Sequence, residues 1–337
     1  MDLPTVWFVA VAVLWTGYLV LEGFDFGVGM LLRVLGRTED DRRVALGAIG
    51  PVWDGNEVWL ITAVGAMFAA FPVWYSSMFS GLYLPVLAVL LALIVRGVGL
   101  EYREKVDDPV WRARWDACIA VGSLVPAFVW GLVLANLVRG MPFSSAGVVD
   151  AGFTDVVDGY ALLGGLTVTA LSVLHGAVFL ALKTRGPVRL RARRLAVVAG
   201  VPVIVVVAAF LWWTVSLRPG SWTVLVAGGA ALAPALAVVA AARGREGWAF
   251  TATATAVAGL AVVVFGSLFP AVLPSTTDPA LTLTVANASS APYTLGIMTW
   301  VAAIFLPLVL AYQAWSYWVF RRRLGGDPVA PEPVATT

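Results

Sequence analysis

The 337-residue sequence holds one cysteine, Cys118, and one histidine, His175. A lone cysteine excludes an internal disulfide and any thiolate cluster built within the chain. A lone histidine excludes a haem iron held between two imidazoles of this chain, a zinc helix of the H-E-x-x-H type and any multi-histidine metal centre. No metal site is expected. For His175 two readings stay open: a ligand completed by a methionine or by a group from another chain, or an ordinary buried hydrogen-bonding histidine. A glycine-rich phosphate loop ending in Lys-Ser or Lys-Thr is missing too. Charge is scarce, at 12% of residues.

What is abundant is apolar surface. Hydrophobic residues make up 60% of the chain and the mean hydropathy is +0.89, more than a soluble fold of this length can bury. A helix needs about 20 apolar residues to cross a hydrocarbon layer roughly 30 Å thick. Apolar runs fall at 6–32, 48–71, 78–95, 117–138, 158–182, 196–216, 222–242, 248–270 and 292–320. The expected fold is therefore all-α: a polytopic membrane protein of about nine transmembrane helices in one domain over residues 1–320, arranged as two four-helix bundles plus a peripheral helix. The start of the chain lacks the basic region of a cleaved signal peptide and reads as a retained first helix. The Pro-rich residues 321–337 are expected to form a disordered tail.

Alternating the connecting segments between two sides places all of the 22 Lys and Arg residues except Arg139 and Arg218 on one side. Basic residues stay in the cytoplasm, so the N-terminus is expected outside and the C-terminus inside. The run Arg191, Arg193 and Arg194 then reads as a membrane flank, and no nucleic-acid partner is implied. Aromatic clusters at predicted span ends, Trp74 with Tyr75, Trp111 with Trp115, Trp212 with Trp213, and Trp315 with Tyr317 and Trp318, read as interfacial belts.

Ionisable residues inside the apolar runs concentrate on the first two helices. Glu22 and Asp25 lie three residues apart on one, and Asp54 and Glu57 three apart on the other, so each pair shares a helix face. On the first helix the stripe Trp15, Tyr18, Glu22, Asp25 and Gly29 must face protein or water. A mid-membrane carboxylate costs several kcal/mol, so these acids are expected to line a cavity, take up protons or meet a cation. With Arg33 and Arg43 as surface markers, Asp25 lies about 12 Å and Asp54 about 16 Å inside, where the two could meet. The predicted runs carry no Lys or Arg to neutralise them. Proton transfer is one reading, and hydrogen-bonded packing between helices is the other. A mid-membrane ion site of a proton- or cation-coupled transporter is the competing function, although the second half of the chain has no matching acids. Gly23 and Gly27 have the spacing of a close helix contact.

The residues Glu22-Gly23-Phe24-Asp25-Phe26-Gly27-Val28-Gly29-Met30 and Pro51-Val52-Trp53-Asp54-Gly55-Asn56-Glu57-Val58-Trp59-Leu60 resemble the first two helices of subunit II of cytochrome bd-type quinol oxidases. Phe79-Ser80-Gly81, the stretch from Arg96 to Arg103, Trp115-Asp116 and Met298-Thr299-Trp300-Val301 are similar to the same family. The likeness is dense over 17–136, sparse through 140–245, and returns over 248–318. It implies a respiratory heterodimer in the bacterial cytoplasmic membrane that oxidises membrane quinol and reduces dioxygen to water. The haem-bearing subunit I would carry two b-type haems and one d-type haem, and small single-span subunits accompany some members. Subunit II would ligate no haem, stabilise its partner and supply part of a cytoplasmic proton path. In some members it also holds a structural quinone. The resemblance puts Asp25 and Asp54 at the proton-path positions, with Trp53 and Asn56 beside them. Glu22 stands where relatives often have Asp, and Glu57 where relatives have Gln, which enlarges the acid set here.

Overall fold

The computed structural model describes residues 2–325. Thirteen helices follow in chain order: α1 (Leu3–Leu35), α2 (Glu39–Ile49), α3 (Trp53–Ala70), α4 (Pro72–Gly81), α5 (Tyr83–Tyr102), α6 (Pro109–Arg139), α7 (Phe153–Val156), α8 (Gly159–Lys183), α9 (Gly186–Leu217), α10 (Ser221–Ala242), α11 (Glu246–Leu268), α12 (Val285–Ala288) and α13 (Pro292–Val319). Between α11 and α12, the strands β1 (Ala271–Leu273) and β2 (Leu283–Thr284) pair antiparallel. Five of the helix starts carry side-chain caps that satisfy otherwise free amides: Asp2 on α1, Thr38 on α2, Asp108 on α6, Asp158 on α8 and Thr284 on α12.

Eight helices among the described residues are long and apolar enough to cross a membrane: α1, α5, α6, α8, α9, α10, α11 and α13. The remaining predicted span corresponds to α3. It has 18 residues and begins with Trp53-Asp54-Gly55-Asn56-Glu57, so its polar first turns dilute its apolar character. Two expected spans break where they were drawn as continuous. The turn at Gly50–Val52 separates amphipathic α2 from α3, and Leu82 separates α4 from α5.

Helices α8, α9, α10 and α11 close a ring of four, each packed on the next. α1 is the central post, packed on α3 and α6 on one side and on α8 and α11 on the other, while α5 packs along α6. α13 stands at the periphery, with only 6% of its apolar window buried. Small residues let the backbones approach closely. A Cβ at Gly27 of α1 would lie 2.8 Å from the Gly176 Cα of α8, and a Cβ at Gly164 of α8 would lie 2.5 Å from the Gly131 carbonyl of α6. Neither crossing leaves room for a side chain.

The tail departs from expectation over its first residues. Leu324 N–H donates 2.8 Å to the Lys183 carbonyl and Arg185 N–H donates 2.9 Å to Leu324, so 321–325 fold onto the α8–α9 junction. The rest of the expected disordered tail lies outside the described residues. The aromatic belts also need correction. Trp74 is 1% exposed and packs against Phe8 and Phe71, and Tyr317 turns inward to Asn56. Trp212, Trp315 and Trp318 are exposed as belt residues are.

Candidate functional site: a buried ionic cluster

The expected stripe on α1 is buried throughout, from Trp15 through Tyr18, Glu22 and Asp25 to Gly29. Trp130 of α6 donates a 3.1 Å hydrogen bond to the Tyr18 hydroxyl above the two acids. The cation missing from the sequence reading is Arg96. The apolar run 78–95 leaves it in a connecting segment, yet α5 continues to Tyr102 and carries Arg96 into the protein, wholly buried. Its Nη1 lies 2.6 Å from Glu22 Oε1 and donates a 2.7 Å hydrogen bond to Glu57 Oε1. Its guanidinium sits 5.1 Å over the Phe26 ring. Gly122 of α6 makes room for the stem, since a Cβ there would lie 2.7 Å from Arg96 Cβ. The expectation that no Lys or Arg serves these acids is therefore overturned: two carboxylates from α1 and α3 share one guanidinium from α5.

The expected meeting of Asp25 and Asp54 does not occur. Helix α3 begins at Trp53, which places Asp54 in its first turn on an exposed face. The α3 residue that reaches Asp25 is Asn56, wholly buried, whose Nδ2 donates 2.7 Å to Asp25 Oδ2. The Asn56 Oδ1 accepts from Tyr317 at 2.8 Å and from Gln313 at 3.2 Å, both on α13. Trp53 packs near Gly97 of α5. Along α3 the environment is graded: Asp54 is exposed, Glu57 is 23% exposed at its side chain, and the Glu22, Asp25 and Arg96 groups beyond are sealed. Asp25 Oδ1, Glu22 Oε2, and Nε and Nη2 of Arg96 are buried and meet no protein partner.

His175 of α8 is engaged at both ring nitrogens. Nε2 donates 3.1 Å to the Val20 carbonyl of α1, and Nδ1 lies 2.6 Å from the Thr253 hydroxyl of α11. The ring stacks on Phe250 with centroids 4.7 Å apart. With neither nitrogen turned to open space, its surroundings do not fit an axial ligand of a haem iron. Among the described residues, no group of three or more His, Cys, Asp or Glu side chains has the arrangement to hold a metal ion.

A second ionic cluster closes the arginine-rich end of α5. Arg103 is wholly buried and donates to Asp116 of α6 at 2.6 Å and to both oxygens of Glu39 of α2 at 2.8 and 3.1 Å. The Arg103 hydrogen bonds hold the Glu39 carboxyl below its usual range. A carboxyl depressed by folding adds stability above its ordinary value of about 4.3 and loses it as the pH falls further. Glu39→Gln is therefore expected to lower the thermal midpoint at neutral pH, with the gap to wild type closing below about pH 4.3. A gap independent of pH would remove Glu39 from the account.

Fold and site together define a polytopic helical membrane protein with a buried carboxylate–guanidinium centre. Residues 3–320 match the family described as cytochrome bd terminal oxidase subunit II. The chain is 45% identical over 328 residues to the cytochrome bd ubiquinol oxidase subunit 2 of Bacillus subtilis, covering 96% of this chain and 97% of the relative. It is 35% identical over 364 residues to cytochrome bd-I ubiquinol oxidase subunit 2 of Escherichia coli K12, covering 96% of each. A solved bd oxidase structure from Geobacillus thermodenitrificans shares the fold, with a TM-score of 0.72 at 18% identity over 95% of this chain and 99% of that one. This chain belongs to the cytochrome bd terminal oxidase subunit II family, and is a multi-pass bacterial membrane protein. The competing transporter reading is not favoured by these matches.

Proposed function

We propose that this subunit carries protons toward the oxygen-reducing centre of its complex, through Asp54, Glu57, the Arg96–Glu22 pair and Asp25. Family membership makes the chain a subunit of a terminal quinol oxidase, a haem-bearing complex with a partner subunit I. Each electron delivered to dioxygen must be matched by a proton for water to form, so such an enzyme needs a polar route through its apolar interior. The observation that carries the proposal is the graded run of acids around Arg96. One guanidinium cannot neutralise Glu22, Glu57 and Asp25 together, so protons taken up by the group relieve an excess of negative charge. Buried polar atoms without a protein partner at Asp25, Glu22 and Arg96 suit hydration within such a route.

The finer assignments belong to the same reading. The two b-type haems, the d-type haem and the quinol-oxidising segment are carried by subunit I, and this chain ligates none of them. The arginine-rich end faces the cytoplasm, α3 is the ninth span, and Asp54 is the cytoplasmic mouth of the path. An exposed carboxylate on α3 is poorly suited to hydrocarbon, so the partner covers α3 and the adjoining α13. α1 is enclosed on both sides and contributes Glu22 and Asp25 from within. A structural quinone and small single-span subunits are compatible with this arrangement.

Purification of the chain with its natural partner is expected to give a complex with haem absorption and quinol-driven oxygen consumption. The chain expressed alone is expected to be colourless and inactive. Haem bound by the isolated chain would overturn the division of labour.

A further inference from the structure

We infer that Gln313 and Tyr317 of α13 are positioning residues for Asp25, acting through Asn56; the inference rests on the proton-transfer reading of Asp25. The two residues are four apart and share one face of α13, while the neighbouring Tyr312, Trp315 and Trp318 are exposed. An asparagine side chain has one accepting end and one donating end, and turning it over exchanges them. Tyr317 and Gln313 both supply their hydrogens to Asn56 Oδ1, at 2.8 and 3.2 Å. Two donors on that end hold the amide with its NH2 group toward α1. There it meets two acceptors, Asp25 Oδ2 at 2.7 Å and the Leu21 carbonyl at 3.4 Å.

The consequence is directional. With the amide fixed, Asp25 faces a permanent donor, which stabilises the carboxylate and so eases onward release of a proton taken up there, and which aims its second oxygen, Oδ1, away from Asn56. Without the α13 donors the amide can turn, present its oxygen to a protonated Asp25 and retain the proton as a hydrogen bond. The anchor also ties the site to a helix with little packing of its own. α13 is held to the body by this contact and, nearer its other end, by Trp7, whose indole N–H donates to the Leu295 carbonyl at 3.2 Å and the Thr299 hydroxyl at 3.0 Å. Displacement of the inner half of α13 is thereby transmitted to Asn56.

The test is a double-mutant cycle on the intact complex, with kcat for quinol-driven oxygen consumption normalised to haem content. Tyr317→Phe combined with Gln313→Leu is expected to lower kcat severalfold at unchanged haem content, and Asn56→Leu to do the same. Added to Asn56→Leu, the α13 substitutions are expected to cause no further loss, because they act only through that amide. Independent, multiplying losses would overturn the inference, since they mark general loosening of α13. Tyr317→Phe alone removes a single hydroxyl and serves as the milder probe where the double substitution lowers haem content; a wild-type kcat in both would equally overturn it. Asp25→Asn separates the two levels: lowered turnover there, with wild-type α13 variants, leaves the proton reading standing without the positioning role, and full turnover in Asp25→Asn removes the proton reading itself.

Discussion

Replacing Arg96 by methionine is expected to cost most of the assembled complex. The substitution leaves Glu22 wholly buried and Glu57 largely so without their shared cation, at 2.6 and 2.7 Å in the wild type. Removing one partner of a buried ion pair typically destabilises by about 3–5 kcal/mol, because the remaining charge has lost its compensation and cannot return to water. That is a large part of the stability of an average domain. Arg96→Lys keeps the charge but loses the planar fork that reaches two carboxylates from different helices, so an intermediate loss is expected. If the loss arises from uncompensated charge, adding Glu22→Gln and Glu57→Gln to Arg96→Met should recover folded protein. The yield of haem-containing complex from membranes and its thermal midpoint report both effects. Wild-type yield of Arg96→Met would show that the acids do not depend on the guanidinium, and failure of the combined variant to recover would trace the loss to packing against Phe26 and Gly122.

The reason Arg96 escaped the sequence reading is general to hydropathy. A span is closed at the first strong charge after an apolar run, and the run 78–95 ends one residue before it. Where a neighbouring helix supplies a countercharge, the same residue continues the helix, and α5 runs on to Tyr102. The pattern therefore displayed the acids and hid their cation, although Arg96 stood within a motif shared with the family. The rotation of α3 was hidden for a related reason. Spacing alone put Asp54 and Glu57 on one face, but which face met α1 depended on where the helix began, and the break at Gly50–Val52 turned Asn56 inward and Asp54 outward. Tyr317 was misread because an aromatic at a span end has two uses, as a belt at the interface or as a hydrogen-bond donor to the interior. Only the position of Asn56 decides between them. By contrast, the α1 stripe and the Gly27 contact were legible, since both follow from helical period and from the cost of facing hydrocarbon with a carboxylate or packing two backbones without a small residue.

Asp25→Asn is expected to lower quinol-driven oxygen consumption by about a hundredfold or more, the scale set by loss of a positioned proton-transfer group, while the haem spectrum is retained. Asparagine has the size of aspartate and can still pair with Asn56, so the α1–α3 contact survives while the titratable proton is lost. The structure gives the two aspartates different weights. Asp25 is sealed, and no second carboxyl occupies its place beside Asn56. Asp54 is exposed at the chain surface with Glu57 one turn away, so in Asp54→Asn water and Glu57 can pass protons past the missing group unless the partner subunit closes that face. A smaller loss is therefore expected for Asp54→Asn, and a larger one for Asp54→Asn combined with Glu57→Gln. Oxygen-electrode rates normalised to haem content measure all three. Haem lost in step with activity would assign these carboxyls to helix packing, and unchanged turnover in Asp25→Asn would leave the cluster without a part in proton delivery. A greater loss at Asp54 than at Asp25 would place the limiting step at the exposed end of the cluster, at proton entry and not at the sealed carboxyl.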